Sequence, residues 1–149
     1  MPHISEQAMW GLANIAADCP KYRDAVLAKR GLEVILKVME ETKSADMLRQ
    51  GVWALSNLCR GTPKPKYSQI KNAIPVLGSL VMSGMLQDSE VVTALWSIAN
   101  NTEAQKTKIQ ELVNIKGFIP HLIQRAYSHS EADYMAPLMR TIGNISQGN

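Results

Sequence analysis

The sequence is poor in cysteine and in aromatic residues, and each shortage excludes a class of protein. Its 149 residues include two cysteines, Cys19 and Cys59, too few for a disulfide framework and not at metal-ligand spacing. We therefore expect both thiols to be reduced and buried, which suits an intracellular compartment. One Phe and four Tyr accompany plentiful Leu, Ile, Val, Ala and Met without strand-like alternation, which favours helices.

Motifs for catalysis, metal binding and membrane insertion are also missing. The histidines do not cluster with carboxylates or cysteines at metal-ligand spacing, and no H-E-x-x-H, G-x-S-x-G, P-loop or G-x-G-x-x-G pattern occurs. The sequence therefore predicts no enzyme, no metal site and no cofactor. No run of about 18 apolar residues indicates a membrane span. A net charge of +3, with Lys and Arg spread along the chain, does not indicate a nucleic-acid surface.

One motif recurs four times without gaps. The four segments are Trp10-Gly-Leu-Ala-Asn14, Trp53-Ala-Leu-Ser-Asn57, Trp96-Ser-Ile-Ala-Asn100 and Arg140-Thr-Ile-Gly-Asn144. Their first residues lie 43, 43 and 44 positions apart, within the roughly 40 to 47 residue period of HEAT and armadillo repeats. Because such repeats bury their apolar faces only by stacking on one another, the period predicts an all-α solenoid.

Glycines and prolines divide each repeat into a short, a medium and a long helix. A short helix from Tyr22 to Ala28 precedes a break near Gly31, and its counterpart from Lys106 to Ile115 precedes a break at Gly117. The longest helix carries the motif, as from Ala45 to Arg60. We place the last helix of a repeat at residues 1–19, followed by repeats at 20–61, 62–104 and 105–149.

The medium helices carry apolar residues at the spacing of a buried stripe. These residues are Leu32, Ile35, Leu36 and Met39 in one repeat and Phe118, Leu122, Ile123 and Ala126 in another. We expect both stripes to be buried.

The repeated Trp and Asn share one helix face, because positions i and i+4 lie side by side. A tryptophan on a helix is more often part of the core. Burying three carboxamides in register without partners, however, would cost about 1–3 kcal/mol each. We therefore expect an exposed row in which Asn pairs with the backbone of an extended peptide and the indoles sandwich its Lys or Arg side chains. The alternative is an armadillo scaffold that binds other protein partners through its other surfaces.

The motifs, their period and two specific segments resemble importin-α, a family of armadillo-repeat nuclear import adaptors. The segments are Ser5-Glu6-Gln7-Ala8-Met9-Trp10 and Leu55-Ser56-Asn57-Leu58-Cys59-Arg60-Gly61. The resemblance covers the central repeats and implies a right-handed α-solenoid with three helices per repeat. It also implies a concave groove for basic nuclear-localisation signals, and residence in cytoplasm and nucleus. The peptide-binding residues that it implies are Trp10, Asn14, Asp18, Trp53, Asn57, Arg60, Trp96, Asn100, Arg140 and Asn144.

The resemblance implies that Asp18 pairs with the most demanding lysine of the signal. The third motif departs from the family pattern. Asn100 stands where a tyrosine is usual, and Ser89 and Thr93 stand where carboxylates are common. Pairing with basic side chains there must be weaker or use Glu90.

Two further expectations concern the ends of the chain. The basic segment through which the family recruits importin-β has no counterpart before Ile4. We also expect the end repeats to expose apolar surface and to drive self-association.

Overall fold

The computed structural model describes residues 2–103 and 106–147, with side chains from residue 4 onward. In these ranges the chain forms ten helices and no strand, which confirms the predicted all-α class. The helices are α1 (Pro2–Asp18), α2 (Pro20–Ala28), α3 (Gly31–Glu41), α4 (Ala45–Cys59), α5 (Tyr67–Ile70), α6 (Ala73–Met82), α7 (Asp88–Asn101), α8 (Lys106–Val113), α9 (Phe118–Ser128) and α10 (Ala132–Ser146). The predicted repeat boundary between positions 104 and 105 and both chain ends lie outside the described residues.

The helices form two compact units, Met1–Ala73 and Ile74–Asn149. In the first unit the long helix α4 packs against α1 and α3, and α2 packs on α1. In the second unit α10 packs against α7, α8 and α9. Within the described ranges, no helix combines the length and hydropathy needed to cross a bilayer.

The core of the first unit lies along α4 and one face of α3. Ser44 caps α4 by accepting a hydrogen bond from the backbone N–H of Met47 at 3.4 Å. The α4 side chains that pack inward include Val52, Leu55 and Leu58, all fully buried. The stripe predicted on α3 is confirmed at Leu32, Ile35 and Met39, which are buried, whereas Leu36 is half-buried.

The corresponding stripe on α9 is narrower than predicted. Phe118 and Leu122 are completely buried, but Ala126 is half-buried and Ile123 is 46% exposed. The prediction that Ile123 is buried is therefore wrong. Ile123 lies about 100° around the helix from Leu122, at the margin of the face that packs on the unit.

The two breaks before the medium helices differ in kind. Gly117 adopts a left-handed conformation with φ of 82°, as predicted, and caps α9. Before α3 the left-handed residue is instead Arg30, with φ of 63°. Gly31 is required for a different reason, because a Cβ atom there would lie 2.4 Å from Val26 Cγ1 and 2.9 Å from the Val26 carbonyl oxygen.

A buried arginine ties α2 to the loop that follows α4. Arg23 is 1% exposed, and its Nη1 donates to the carbonyl oxygens of Arg60 at 2.7 Å and Pro63 at 2.8 Å. Its Nε donates to Asp24 Oδ1 at 2.9 Å. Gly61 sits between the two carbonyls with φ of 110°, and a Cβ atom there would approach Arg23 Nη1 to 2.8 Å. Charged hydrogen bonds to two backbone carbonyls therefore hold this loop in place.

Candidate functional site

The indoles of the first unit face solvent. Trp10 on α1 is 55% exposed and Trp53 on α4 is 37% exposed. The prediction that these rings lie outside the core is therefore confirmed. Trp96, on α7 in the second unit, is half-buried.

Hydrogen bonds between α1 and α4 fix the register of the two helices. Gln50 Nε2 donates to Glu6 Oε1 at 2.8 Å, and Asn57 Nδ2 donates to the Ala13 carbonyl at 3.2 Å. Each bond joins residues 44 positions apart. Because the first two tryptophans of the motif are 43 positions apart, this register places them at nearly the same level along the two neighbouring helices.

The carboxamides do not form the exposed row that the sequence predicts. Asn57 is completely buried, and its Oδ1 has no hydrogen-bond partner among the described residues. The prediction of exposure is wrong for this residue, because the carbonyl of Ala13 on the neighbouring helix supplies a partner for Nδ2. Asn14 is exposed, and its Nδ2 donates to the Trp10 carbonyl of its own helix at 2.9 Å.

The same helix-to-helix contact recurs in the second unit. Asn144 on α10 is half-buried, and its Nδ2 donates to the Ala99 carbonyl on α7 at 2.8 Å. Asn57 and Asn144 thus each bond the residue that precedes the asparagine of the previous motif. This structural role was not predicted from the sequence, although the 43 to 44 residue period places each asparagine level with the preceding motif on the neighbouring helix. Asn100, at the corresponding position of α7, is half-buried.

Asp18 lies in an open pocket at the end of α1. The pocket has a volume of about 490 Å³ and is lined by Asn14, Ile15, Asp18 and Tyr22. Ile15 is 50% exposed and Tyr22 is 48% exposed, while the Asp18 carboxylate is also exposed. An apolar wall beside one carboxylate suits the stem and charge of a lysine. Tyr22 was missed from the sequence because it follows the helix break at Pro20.

The polar residues before Trp96 are engaged within α7 itself. Glu90 Oε2 accepts the backbone N–H of Gln87 at 2.7 Å and completes the capping box of the helix. Thr93 Oγ1 donates to the carbonyl of Ser89 at 2.9 Å. Glu90 was expected to replace the carboxylates missing at Ser89 and Thr93, but its side chain caps the N-terminus of α7. 

The fourth motif places its arginine on the tryptophan of the third. Arg140 Cζ lies 5.9 Å from the centroid of the Trp96 ring, within the range of cation–π attraction. Arg140 Nη2 also forms an ion pair with Glu103. Glu103 was not predicted, because it lies in the turn that follows α7 and outside the repeated motif. Arg60, the other predicted arginine, is exposed at the end of α4.

Burial shifts the pKa values of Cys59, His121 and Tyr134. Burial raises the pKa of the Cys59 thiol to about 12, although the nearby Arg23 guanidinium opposes the shift. Burial, then the charge of Arg125, lowers the pKa of His121, whose Nε2 accepts a hydrogen bond from Arg125 Nε at 3.4 Å. Burial raises the pKa of Tyr134. In the described part of the chain, no three His, Cys, Asp or Glu side chains are grouped to hold a metal ion.

Sequence comparison relates the chain to importin alpha subunits of plants. No protein-family model matches. Importin subunit alpha-1b of Oryza sativa subsp. japonica is 40% identical over 147 residues, which cover 98% of this chain and 27% of that protein. Importin subunit alpha-3 of Arabidopsis thaliana is 41% identical with the same coverage. The chain thus spans about a quarter of the length of these relatives.

Solved structures share the fold. A designed armadillo repeat protein in complex with the peptide (KR)4 matches with a TM-score of 0.75 at 22% identity, over 96% of this chain and 58% of that chain. An engineered protein matches with a TM-score of 0.73 at 26% identity, over 97% of this chain and 57% of that chain. The chain is thus similar to importin-α proteins over 98% of its length and has the fold of an armadillo-repeat solenoid.

Proposed function

We propose that this chain binds basic nuclear-localisation signals in extended form, as part of a nuclear import adaptor. The observation that carries the proposal is the exposure of Trp10 and Trp53 on two long helices held in register. Exposed tryptophans that the fold positions at nearly the same level of neighbouring helices are characteristic of binding surfaces, since most tryptophans are largely buried.

The spacing of packed helices suits a lysine or arginine between the two indoles. Axes of packed helices lie about 8–10 Å apart, which leaves room for one alkyl stem between rings on neighbouring helices. The stem would contact both ring faces and leave its charged end near water. Cation–π attraction would add about 0.5–2 kcal/mol per contact.

The pocket around Asp18 would select a second basic side chain. Its carboxylate is exposed and provides a counter-charge, while Ile15 and Tyr22 would contact the stem. Such a pocket favours lysine because an ammonium group is a compact charge on a flexible apolar stem.

The asparagines take two roles in this proposal. Asn14 is exposed and would hydrogen-bond the peptide backbone, for which a carboxamide offers both a donor and an acceptor. Asn57 and Asn144 instead hold neighbouring long helices in register and act on binding indirectly. Arg60, Trp96 and Asn100 complete the residues assigned to the peptide surface.

The relatives named importin subunit alpha support import as the biological role, and the protein would act by binding without catalysis. That role implies cargo proteins with basic signals as partners and residence in cytoplasm and nucleus. The designed armadillo protein that shares this fold was solved with (KR)4, which makes a Lys/Arg peptide a suitable probe.

The test is a fluorescence-anisotropy titration of the chain with labelled Lys-Lys-Lys-Arg-Lys peptide. We expect saturable binding, and a loss of affinity of about two- to thirtyfold in Trp53→Ala, which follows from the loss of one cation–π contact. Asp18→Asn should also weaken binding, and more strongly at low than at high salt.

Val34→Ala is the matched control for the tryptophan variant. Val34 is an apolar residue that is 52% exposed on α3, outside the motif helices, and its removal should leave affinity unchanged. A flat titration of the wild-type chain would refute the proposal and favour a scaffold that binds through other surfaces. Equal losses in Trp53→Ala and Val34→Ala would refute the assignment of the site.

A further inference from the structure

His129 lies where three helices of the second unit meet. Its backbone N–H donates to the Arg125 carbonyl at 3.0 Å and ends α9. The imidazole stacks on the ring of Tyr134 of α10, with ring centroids 4.1 Å apart and ring planes 16° from parallel. Its Nε2 lies 3.8 Å from Asp88 Oδ1 at the start of α7. One side chain at the end of α9 therefore reaches both long helices of the second unit.

The charges that face this imidazole come from α7 and α9. Burial is the main cause of the raised pKa of Tyr134, and the charges of Arg125 and Asp88 act on it in opposite directions, which places both charges near the stacked rings. The Arg125 guanidinium opposes a second positive charge, although its Nε already donates to His121. Glu90, the other acid in the first turn of α7, caps its own helix. Asp88 is therefore the carboxylate that can pair with this ring.

Both ring nitrogens of His129 have a partner when the imidazole is protonated. A charged imidazole donates from both nitrogens. Ser128 Oγ lies 3.0 Å from Nδ1 and can accept one of these protons, while Nε2 faces Asp88. The His129 side chain is 13% exposed, so the protein surrounds most of this ring. A neutral imidazole, in contrast, carries no charge for the carboxylate, and 3.8 Å is too long for a hydrogen bond.

We propose that His129 is a pH-sensitive clasp, which closes in its protonated form by pairing with Asp88 and ties the first turn of α7 to the start of α10. Stacking on Tyr134 holds the ring in place in both forms. Because the ion pair exists only while the imidazole carries its second proton, its stabilisation is present in mildly acidic solution and is lost as the pH rises. Acidification thus braces the end of the second unit at which α7 and α10 begin.

A double-mutant cycle tests the clasp in the full chain without any ligand. Urea denaturation is measured for the wild type, Asp88→Asn, His129→Gln and the double variant, at about pH 5.5 and about pH 8, on either side of the ordinary imidazole titration. The coupling between the two residues should change the unfolding equilibrium constant about 1.5- to 5-fold at the lower pH, as expected of a partly exposed ion pair. At the higher pH it should vanish. Coupling that is absent at the lower pH, or equal at both, overturns the proposal.

Asp46→Asn is the matched control for Asp88→Asn. Asp46 stands in the first turn of α4, as Asp88 does in α7, and the two side chains are 77% and 73% exposed. Asp46 pairs with Arg49, whose charge does not change between the two pH values. Its loss should therefore lower stability equally at both. A loss with the same pH dependence as that of Asp88→Asn would show a general effect of removing a first-turn carboxylate and would overturn the role of His129.

His121 gives a pH dependence of the opposite sign, and the cycle separates the two histidines. Burial lowers the pKa of His121, so its neutral form contributes stability that is lost as the pH falls. This contribution cancels in the coupling between Asp88 and His129, because His121 is present in all four chains. Repeating the cycle in His121→Asn should leave the coupling unchanged. Loss of the coupling in that background would assign the effect to His121 and would overturn the proposal.

A second readout detects the clasp in the native chain. The backbone N–H of Val91 donates to the Gln87 carbonyl in the first turn of α7, and that of Met135 donates to the Glu131 carbonyl at the start of α10. Hydrogen exchange of these two amides, corrected for the intrinsic effect of pH, should be slower at the lower pH in the wild type but not in Asp88→Asn. This result decides the matter even if His129→Gln fails to fold. Equal protection at both pH values in the wild type would overturn the proposal.

Discussion

Replacing Asn57 by alanine should destabilise the fold far more than the same change at Asn14. Both residues hold the last position of the motif, but Asn57 is completely buried and Asn14 is exposed. The change at Asn57 removes a 3.2 Å hydrogen bond to Ala13, worth about 0.5–1.5 kcal/mol, and leaves a small cavity in the packed interface of α1 and α4. We expect a total loss of about 1–3 kcal/mol for Asn57→Ala and about 0.5 kcal/mol or less for Asn14→Ala.

Urea denaturation followed by circular dichroism at 222 nm measures both free energies of unfolding. The slope of the transition should not change between variants if only native-state contacts are lost. Peptide titration of the same variants tests the division of roles, since Asn14→Ala should weaken binding without loss of stability. Equal stability of the two variants, or weaker binding by a fully stable Asn57→Ala, would refute the view that Asn57 acts by holding the helices.

Two further predictions follow from the pKa shifts. The pKa of Cys59 is about 12 against an ordinary 9.0, so this thiol should react with Ellman's reagent only after unfolding. Half-buried Cys19 should react in the native chain. If Cys59 in the folded Cys19→Ser variant reacted as fast as in the unfolded chain, the prediction would be contradicted. The lowered pKa of His121 means that the unfolded state takes up its proton first as pH falls below 6.5. Stability due to neutral His121 should therefore be complete above that pH and be lost as pH falls through the folded-state pKa, and His121→Asn should remove this part of the pH dependence of unfolding.

The helices were predictable because their signals are local and repeated. The spacing of Leu32, Ile35 and Met39 identifies the buried face of α3, and the left-handed conformation at Gly117 follows from the absence of a Cβ atom. The role of Gly31 was not predictable in the same way. Its requirement comes from the close approach of Val26, five residues earlier, and that approach depends on the path of the turn between α2 and α3.

The candidate site was predictable in its residue types but not in its exposure. The period placed the tryptophans on one face of successive long helices, and Trp10 and Trp53 are exposed as expected. The burial of Asn57 depended on a carbonyl of another helix, 44 positions earlier in the chain. The ion pair between Arg140 and Glu103 likewise depends on how α7 and α10 pack together. The sequence alone could not show this pair, and it therefore suggested that Arg140 contacts a ligand.

The buried Arg23 has a consequence for how much the loop after α4 can vary. Its guanidinium recognises two main-chain oxygens, those of Arg60 and Pro63, and no side chain of that loop. Most loop side chains could therefore be exchanged without loss of the anchor, provided that the main chain follows the same path. Gly61 is the exception, because it admits the guanidinium only while it lacks a Cβ atom. An engineer could thus recode this segment to carry a tag or a new epitope, keeping one glycine and two carbonyls unchanged.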